Sequence, residues 1–421
     1  MSERPKSVRI DDLANPRFPD AIQPVVASMA EMAAPIQIEP DWLMATAVEQ
    51  TGLDDFGDDG FMERLDVFCR ALREEANLGV VGKVTQGGQL MQFLKNRLLI
   101  EDLIKRHPEI NDVEITAPII ICGLPRTGTT HLHNLMSADP ELRYLPYWEA
   151  LEPVLAESER DADPDPRLAR TELALWFTNG CLPYFKRMHE MTLHHAHEEI
   201  QLLAVDLSSM LLETTAPCAM WRDYYMAHDQ TPVYAYMKRI LKVLQWSRGP
   251  ERWVLKSPQH MEQFGPLLAT FPDATFVVTH RDPVSVTASA TTMLAYTTRM
   301  TTDEPDPQAI AAYWSERLEG MLRATVRDRD LLPASQTIDV HFDEFMADDI
   351  AMVERIYALA GQPMSDASRQ AMNDFMTANP RGRHGGVIYD LAELGIDADE
   401  RRKALDFYVE RFGVTIEDRP G

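Results

Sequence analysis

Short apolar runs alternate with helix-like stretches between residues 118 and 360. The apolar runs predict strands at Pro118–Cys122, Trp253–Leu255, Thr275–Thr279 and Thr337–Phe342. The stretches that follow them predict helices at His131–Ser137, Met261–Phe271 and Ile350–Ala360. This alternation is typical of an α/β fold, in which helices cover both faces of a central parallel sheet. Ligands of such sheets bind at the carboxyl ends of the strands, so polar residues at those ends are candidates for a site.

Residues 1–115 have a different pattern, which is helical and irregular. The clearest helix there is predicted at Leu90–Arg106, because apolar side chains recur on one face and Pro108 follows as a stop. We predict a helical N-terminal region over residues 1–115 that packs on a main domain over residues 116–421. Within the main domain, residues 140–240 are predicted to form a helical insertion.

The chain is acidic, since 41 Lys and Arg against 66 Asp and Glu give a formal net charge of −25. A surface of this charge repels nucleic acid and anionic membranes, so neither is predicted as a partner. The first residues contain no apolar run, and no run elsewhere is long enough to span a bilayer. The cysteines are widely spaced, which favours reduced thiols and a cytoplasmic protein. They are Cys69, Cys122, Cys181 and Cys218.

A glycine-rich loop follows the first predicted strand. It spans residues 123–130, reads GLPRTGTT, and leads into the helix predicted at His131–Ser137. Its glycines let backbone N–H groups approach an anion closely, and the start of the helix contributes its positive end. The loop therefore predicts an anion site, and the alternative is an ordinary turn between strand and helix.

This loop differs from the loops that bind ATP or GTP. Those read GxxxxGK[ST], whereas here Thr129 stands where the lysine belongs and Arg126 lies inside the loop. The sequence also shows no convincing aspartate at a strand end to hold magnesium. The loop therefore favours a nucleotide with a single 5′ phosphate, and no metal site is predicted.

Two further basic residues lie at predicted strand ends. Lys256 belongs to the run RWVLKSP, and Arg281 is followed by Asp282-Pro283 and, eight positions after the arginine, by Ser289. The planar guanidinium of arginine matches phosphate oxygens, and a serine adds a hydroxyl donor. The alternative for Arg281 is an ion pair with a surface carboxylate.

These motifs resemble those of the PAPS-dependent sulfotransferases, in particular the bacterial group related to tyrosylprotein and carbohydrate sulfotransferases. Such enzymes take sulfonate from 3′-phosphoadenosine 5′-phosphosulfate (PAPS) and release 3′-phosphoadenosine 5′-phosphate (PAP). Their 5′-phosphosulfate loop reads PRxGTT, and the matching residues are Pro125, Arg126, Thr127, Gly128, Thr129 and Thr130. The resemblance extends over about residues 118–412 and implies a P-loop-like three-layer fold.

The resemblance also implies roles outside the loop. Arg281 and Ser289 would bind the 3′-phosphate, with Ser285 as a weaker candidate. Lys256 would lie beside the transferring sulfonate and neutralise charge on the bridging oxygen. Phe342, in VHFDEF, takes the place of a tyrosine that stacks on adenine. The family closes its 3′-phosphate site with a late basic loop, and the candidates here, against a plain surface loop, are Arg381, Arg383 and His384.

Transfer also requires a general base that takes the proton of the acceptor hydroxyl. Cytosolic aryl and steroid sulfotransferases have a catalytic histidine two residues after the lysine, where this chain has Pro258. Sulfotransferases of the carbohydrate and tyrosylprotein type place a glutamate shortly after the first helix. Glu149 is predicted to take that role, and with Lys256 and Arg126 it completes the predicted catalytic set.

A histidine-rich segment at residues 193–199, LHHAHEE, is the alternative source of a base. The competing interpretation of this segment is a polar helix surface. Zinc binding is not supported, because no HExxH motif or set of cysteines accompanies the histidines. The candidates for the acceptor site are His133, His197, Glu198 and Glu199.

The sequence therefore predicts metal-independent transfer of the PAPS sulfonate to a hydroxyl of an unidentified small molecule. Scattered aromatic residues favour an apolar acceptor, and residues 140–240 are expected to shape its pocket. The alternatives are a P-loop nucleotide kinase or hydrolase, which would require magnesium, and a non-catalytic protein that binds PAP. A homo-oligomer remains open.

Overall fold

The computed structural model describes residues 5–248 and 252–417. Its strands are β1 Ile119–Cys122, β2 Leu142–Arg143, β3 Arg252–Ser257, β4 Thr275–His280 and β5 Thr337–His341. They form one parallel sheet in the order β2-β3-β1-β4-β5. The predicted α/β class is confirmed, and β1 lies at the centre of the sheet, where it pairs with β3 and β4.

The helices of the described residues lie before, between and after the strands. They are α1 Gln23–Ala33, α2 Pro40–Thr51, α3 Phe61–Glu74, α4 Val80–Arg106, α5 Thr129–Ser137, α6 Tyr147–Leu151, α7 Pro166–Cys181, α8 Ile200–Leu203, α9 Met210–Thr215, α10 Ala219–Ala227, α11 Thr231–Arg248, α12 Phe264–Thr270, α13 Pro283–Thr297, α14 Pro307–Asp328, α15 Phe342–Ala347, α16 Asp349–Ala360, α17 Asp366–Ala378, α18 Ala398–Ala404 and α19 Asp406–Phe412.

Both faces of the sheet are packed, as expected for parallel strands joined through helices. Because side chains alternate along a strand, Ile119 and Ile121 face one layer while Ile120 and Cys122 face the other. The first layer consists of α5, α16 and α17. The second includes α11, α12 and α14, and the apolar side chains of α2, α3 and α4 belong to the same continuous core.

A buried ion cluster links the N-terminal helices to the rest of the chain. The carboxylate of Asp206 pairs with Arg97 at 2.6 Å and with Arg64 at 2.7 Å. The guanidinium of Arg97 also lies between two aromatic rings, 4.3 Å from the centre of Phe61 and 4.4 Å from that of Tyr236. Breaking a buried pair leaves one charge uncompensated, so this cluster specifies how α3 and α4 dock.

The predicted strands and most predicted helices are present, with shifted bounds. Helix α4 begins at Val80, earlier than the predicted Leu90, because tertiary packing outweighs the low helix propensity of Gly87 and Gly88. The helix predicted at Met261–Phe271 is instead a 3-10 turn at Pro258–Glu262 followed by α12. Pro266 has no backbone N–H and its ring excludes a preceding helical turn, so the helix restarts just before it.

Two further differences concern the sheet. Strand β2 has only two residues, Leu142 and Arg143, and nothing in the alternation of apolar residues predicted it. Strand β5 ends at His341, so Phe342 begins helix α15 and is not the last residue of a strand. The remaining residues of the 140–240 insertion are largely helical, from α6 to α11. No described helix is long and apolar enough to cross a membrane.

The N-terminal segment pairs with a segment late in the chain. Val8 forms a parallel bridge with Val387, and its N–H donates to the carbonyl of Gly386 at 3.1 Å. Arg187 donates to the carbonyls of Lys6, at 2.8 Å, and Gly386, at 3.3 Å. The N-terminal segment therefore holds the stretch that follows the predicted late basic loop.

Two glycines of α4 provide a matched test of this packing. The backbone of Thr301 lies directly against Gly82, so a Cβ there would overlap the Thr301 carbonyl, whereas a Cβ on Gly88 would meet no atom within 4 Å. We expect Gly82→Ala to lower the free energy of unfolding by about 1–3 kcal/mol, measured by urea denaturation. Gly88→Ala should instead raise it by about 0.5–1 kcal/mol, because alanine favours the helix. Equal effects of the two substitutions would show that α4 does not dock through Gly82.

Candidate active site

The glycine-rich loop joins β1 to α5 at the carboxyl end of the sheet. A Cβ on Gly123 would overlap the hydroxyl of Thr279 on β4, so only glycine permits this approach. The hydroxyl of Thr127 lies 2.7 Å from that of Thr279 and donates to the carbonyl of Leu124, also at 2.7 Å. These bonds fix the loop against β4. The backbone N–H groups of the first turn of α5 lack helical partners, which is the arrangement by which helix N-termini bind anions.

Arg126 has a backbone conformation that side chains other than glycine rarely adopt. Its φ of 72° is in the left-handed region, where sterics cost roughly 1–2 kcal/mol, and such residues concentrate at functional sites. This conformation turns the Arg126 side chain toward α13, where its Nε donates to Ser289 Oγ at 2.7 Å. Its guanidinium also donates to the carbonyl of Met188.

Arg281 follows the end of β4 and lies against the same loop. It donates to the carbonyl of Arg126 at 2.8 Å, and its guanidinium lies 4.2 Å from the centre of the Phe342 ring. That ring in turn lies within 3.5 Å of where a Cβ on Gly128 would be. Residues predicted from separate motifs therefore come together: the loop, Arg281, Ser289 and Phe342 form one pocket.

The fork of Arg281 already holds an anion. Glu417 accepts from its Nε at 2.6 Å and from its Nη2 at 3.0 Å. The backbone N–H of Glu417 is itself held by Asp282 at 3.0 Å. On α13, the hydroxyl of Ser285 is buried and has no hydrogen-bond partner among the described residues. Arg281 thus binds an anion through two donors, which fits a phosphate, and Ser285 lies one helical turn before Ser289 on α13.

Lys256 is the second-last residue of β3, which pairs with β1, and is only 2% exposed. Its ammonium forms an ion pair with Glu198, and its backbone N–H donates to Glu199 Oε2 at 2.8 Å. The other carboxylate oxygen of Glu199 is buried without a partner among the described residues. A buried cation beside an anion-binding loop can stabilise negative charge that develops there.

Comparisons with known proteins agree with this site. The model of the sulfotransferase family matches residues 118–366, more than half of the chain. The chain belongs to the sulfotransferase family. A similar solved structure is sulfotransferase STF1 of Mycobacterium tuberculosis H37Rv, with 31% identity, a TM-score of 0.75, and coverage of 86% of this chain and 97% of that one.

A second solved structure supports the fold of this sulfotransferase. Sulfotransferase STF9 of Mycobacterium avium has a TM-score of 0.81 at 23% identity, over 91% of this chain and 99% of that one. No curated protein matches the sequence significantly.

Four histidines of the sulfotransferase surround Lys256. His133 lies on α5 and donates from Nε2 to the carbonyl of Val254 at 3.3 Å. The others, His189, His195 and His197, come from the segment before α8. The ring centres of His189 and His195 are 6.4 Å apart, and those of His195 and His197 are 5.1 Å apart. The predicted acceptor candidates His133 and His197 therefore belong to one cluster, together with Glu198 and Glu199.

Burial keeps these histidines neutral. Desolvation lowers the pKa of His133 to about 3 and that of His195 to about 4, and the nearby Lys256 charge acts in the same direction. The pKa values of His189 and His197 are well below 6.5 for the same main reason. Two glutamates are then the charged partners of Lys256 among residues 5–248 and 252–417: Glu198 pairs with its ammonium, and Glu199 accepts from its backbone N–H.

Glu149 lies away from this cluster. It is 2% exposed and pairs with Arg143 at 3.2 Å and with Arg248 at 3.0 Å. Burial raises its pKa, and the two arginines oppose that rise. Arg143 in turn lies 4.6 Å from the ring centre of Trp253, near the amino end of β3. Lys256 lies at the other end of the strand, about 10 Å further along, and on the opposite face.

The structure therefore does not bring the predicted base Glu149 together with Lys256. The reason is strand β2, which the sequence did not reveal. It places Arg143 beside β3, and α6 turns Glu149 back toward that arginine while its neighbour Tyr147 faces the histidines, with its ring centre 4.6 Å from that of His197. Glu149 serves instead as the carboxylate of a buried ion pair.

The late basic loop joins the site through Glu190. Its carboxylate binds Arg383 at 2.5 Å and His384 at 2.9 Å. Arg381 lies apart from them and pairs with Asp349 at the start of α16. Neither Glu190 nor its neighbour His189 was predicted as a site residue, although they lie close to the histidine-rich segment. No sequence signal points to Glu417, which is distant in the chain from every motif.

The buried histidines predict how stability depends on pH. The unfolded chain protonates a histidine near pH 6.5, whereas folded His195 does so near pH 4. Between these values the unfolded state binds more protons, so the free energy of unfolding falls as the pH falls. His195 alone should contribute up to about 1.4 kcal/mol per pH unit in this window.

Urea denaturation at pH 7.5, 6.5 and 5.5 measures this effect. His195→Gln cannot titrate and should lose stability less steeply than the wild type. The exposed neighbour provides a matched control, and His194→Gln should leave the slope unchanged. An unchanged slope in His195→Gln would mean that His195 titrates normally in the folded protein.

Proposed function

We propose that the protein transfers the sulfonate of PAPS to a hydroxyl of a small molecule, without a metal. The observation that carries the proposal is the direct joining of the two predicted phosphate anchors. Arg126 of the loop donates to Ser289, and Arg281 donates to the Arg126 carbonyl. PAPS carries phosphate groups at both ends of its ribose, and a pocket with two joined anion binders suits that chemistry.

Each chemical group of PAPS can be assigned to residues of the site. The loop from Pro125 to Thr130 would hold the 5′-phosphosulfate, and Arg281, Ser289 and the free hydroxyl of Ser285 would hold the 3′-phosphate. The ring of Phe342, which lies beside Gly128 of the loop, would stack on the adenine. Arg383 and His384, which both pair with Glu190, would approach the bound donor from the late basic loop. Arg381 pairs with Asp349 and lies further away.

The donor supplies a sulfonate that is activated by its bond to phosphate. Lys256 would neutralise the phosphate oxygen as the sulfur–oxygen bond breaks, and Arg126 would add a second cation on the loop. Glu198 pairs with the Lys256 ammonium. Such preorganised charge in a buried site stabilises the transition state without reorganisation at the moment of transfer.

The two other candidate functions have less support. A nucleotide kinase or hydrolase would need a lysine in the loop, where this chain has Thr129. A protein that only binds PAP would not need a buried lysine beside the loop. Radiolabelled sulfonate transfer from PAPS to pooled hydroxyl compounds tests the activity and identifies the acceptor class.

Arg281 provides the first test of the donor. Hydrogen bonds to charged groups contribute about 1.5–3 kcal/mol, so Arg281→Ala should weaken PAP binding about 10- to 150-fold in calorimetry. Binding of 5′-AMP, which lacks the 3′-phosphate, should change little. Arg327→Ala, on the exposed surface of α14, serves as the matched control and should bind PAP normally. An equal loss for PAP and 5′-AMP would assign Arg281 a structural role.

Glu417 provides a second test, in which the substitution should strengthen PAP binding. Its carboxylate must leave Arg281 before a 3′-phosphate binds there, so Glu417→Gln should strengthen PAP binding by up to about fivefold. Glu410→Gln makes the same charge change at an exposed position of α19 and should leave the affinity unchanged. Weaker binding in Glu417→Gln would show that the glutamate supports the pocket and does not compete for it.

A further inference from the structure

The histidine cluster contains a chain of hydrogen bonds that the donor pocket does not use. The Nδ1 atom of His195 lies 2.6 Å from the carbonyl oxygen of Thr192, and its Nε2 lies 3.0 Å from Nδ1 of His197. The N–H of Thr192 also points at this Nδ1, at 3.0 Å, so the two contacts favour opposite tautomers. The carbonyl contact is the shorter one, and an unprotonated Nδ1 would face that oxygen with two lone pairs at 2.6 Å. We therefore assign the proton of His195 to Nδ1.

The proton position on His195 determines that of His197. A neutral imidazole has one donor and one acceptor nitrogen, so Nε2 of His195 accepts and Nδ1 of His197 donates. The Nε2 atom of His197 is then left with its lone pair. Within residues 5–248 and 252–417 the His197 ring forms its hydrogen bond through Nδ1, and the residue is 8% exposed.

We propose that His197 takes the proton of the acceptor hydroxyl and that His195 is a positioning residue that holds the His197 ring in the competent tautomer. This inference rests on the proposed function. It replaces Glu149 as the base, because the structure places that carboxylate at the other end of β3, between two arginines.

The transfer balances as follows. The acceptor oxygen attacks sulfur while its proton passes to Nε2 of His197. The bond between sulfur and the bridging oxygen breaks, and the electron pair stays on the 5′-phosphate of PAP, where Lys256 neutralises it. The His197 ring becomes an imidazolium, and its Nδ1–H bond to His195 is strengthened by the new charge.

The surroundings of His197 favour a ring that rests without a proton. Tyr147 of α6 covers one side, His195 and His189 lie beside it, and His133 and Lys256 approach from α5 and β3. Among these groups only the lysine is charged at neutral pH, and it disfavours protonation. Glu198 follows in sequence, but its carboxylate is paired with the lysine, and Glu199 accepts from backbone. A base must be unprotonated before it acts, and these neighbours keep it so.

Nitrogen NMR of histidine-labelled protein tests the relay without any acceptor. The His197 signals are identified by their loss in His197→Gln. We expect the wild type to show a protonated Nδ1 and an unprotonated Nε2 on His197. His195→Leu, which removes the accepting nitrogen, should give a mixture of the two tautomers. A protonated Nε2 in the wild type would overturn the proposal.

Turnover tests the catalytic role. The assay follows sulfonate from radiolabelled PAPS to 2-naphthol or, where that is no substrate, to the compound found with the pooled hydroxyls. His197→Gln should lower kcat about 10²- to 10⁴-fold, the usual contribution of a general base, while the KM for PAPS hardly changes. His194→Gln, at the exposed neighbouring position, should have normal turnover.

The His195 variants separate positioning from folding. His195→Leu should lower kcat at least about tenfold with an unchanged KM for PAPS, because part of the enzyme then holds His197 in the wrong tautomer. His195→Gln offers an accepting oxygen in place of the nitrogen and should recover most of that loss. Equal losses in both variants, or a raised KM in both, would assign His195 a structural role.

Two results overturn the assignment of the base. Near-normal turnover in His197→Gln would exclude it, and if Glu198→Gln alone abolished transfer with PAP binding intact, the base would be Glu198. A failure of the proposed function looks different. In that case PAP would not bind the wild type. The catalytic role of His197 would then be rejected together with the proposed function, even if NMR showed the expected tautomer.

Discussion

The close approach of β1 and β4 at Gly123 determines the arrangement of the whole site. With no side chain on that residue, the loop bends against Thr279 and is fixed there through the Thr127 hydroxyl. The loop then carries Arg126 into its left-handed conformation, so that its side chain reaches α13 and its carbonyl reaches Arg281. The contact between the Gly123 backbone and the Thr279 side chain thus helps to position groups that are more than 150 residues apart in sequence.

The parts of the fold and site that could be predicted are those with local signals. A buried strand that leads to a glycine loop, to Lys256 or to Arg281 can be recognised from about ten consecutive residues. Parallel pairing then brings the ends of these strands to one edge of the sheet. The family was predictable for the same reason. Strand β2 could not be predicted, because two residues show no alternation. The distance of Glu149 from Lys256 depends on this strand and could not be predicted either.

The hydrogen-bond partners of the site were harder to predict than its members. His197 and Glu198 stand out in sequence, but whether a histidine donates or accepts depends on a carbonyl such as that of Thr192, which only the fold brings near. Glu190 and Glu417 approach the pocket from segments without a motif. Sequence spacing specifies the strand ends, whereas side chains that meet across loops depend on tertiary packing.

The pairing of residue 8 with residue 387 has a consequence for how the protein is made. Bonds across so long a loop form only after most of the chain has left the ribosome, and closing such loops is slow compared with forming local helices. The anion loop and all five strands precede Arg383 and Glu417 in the chain. The sheet strands therefore leave the ribosome first, and the ion pairs that Arg383 and Glu417 make with Glu190 and Arg281 form only after the strands have been synthesised.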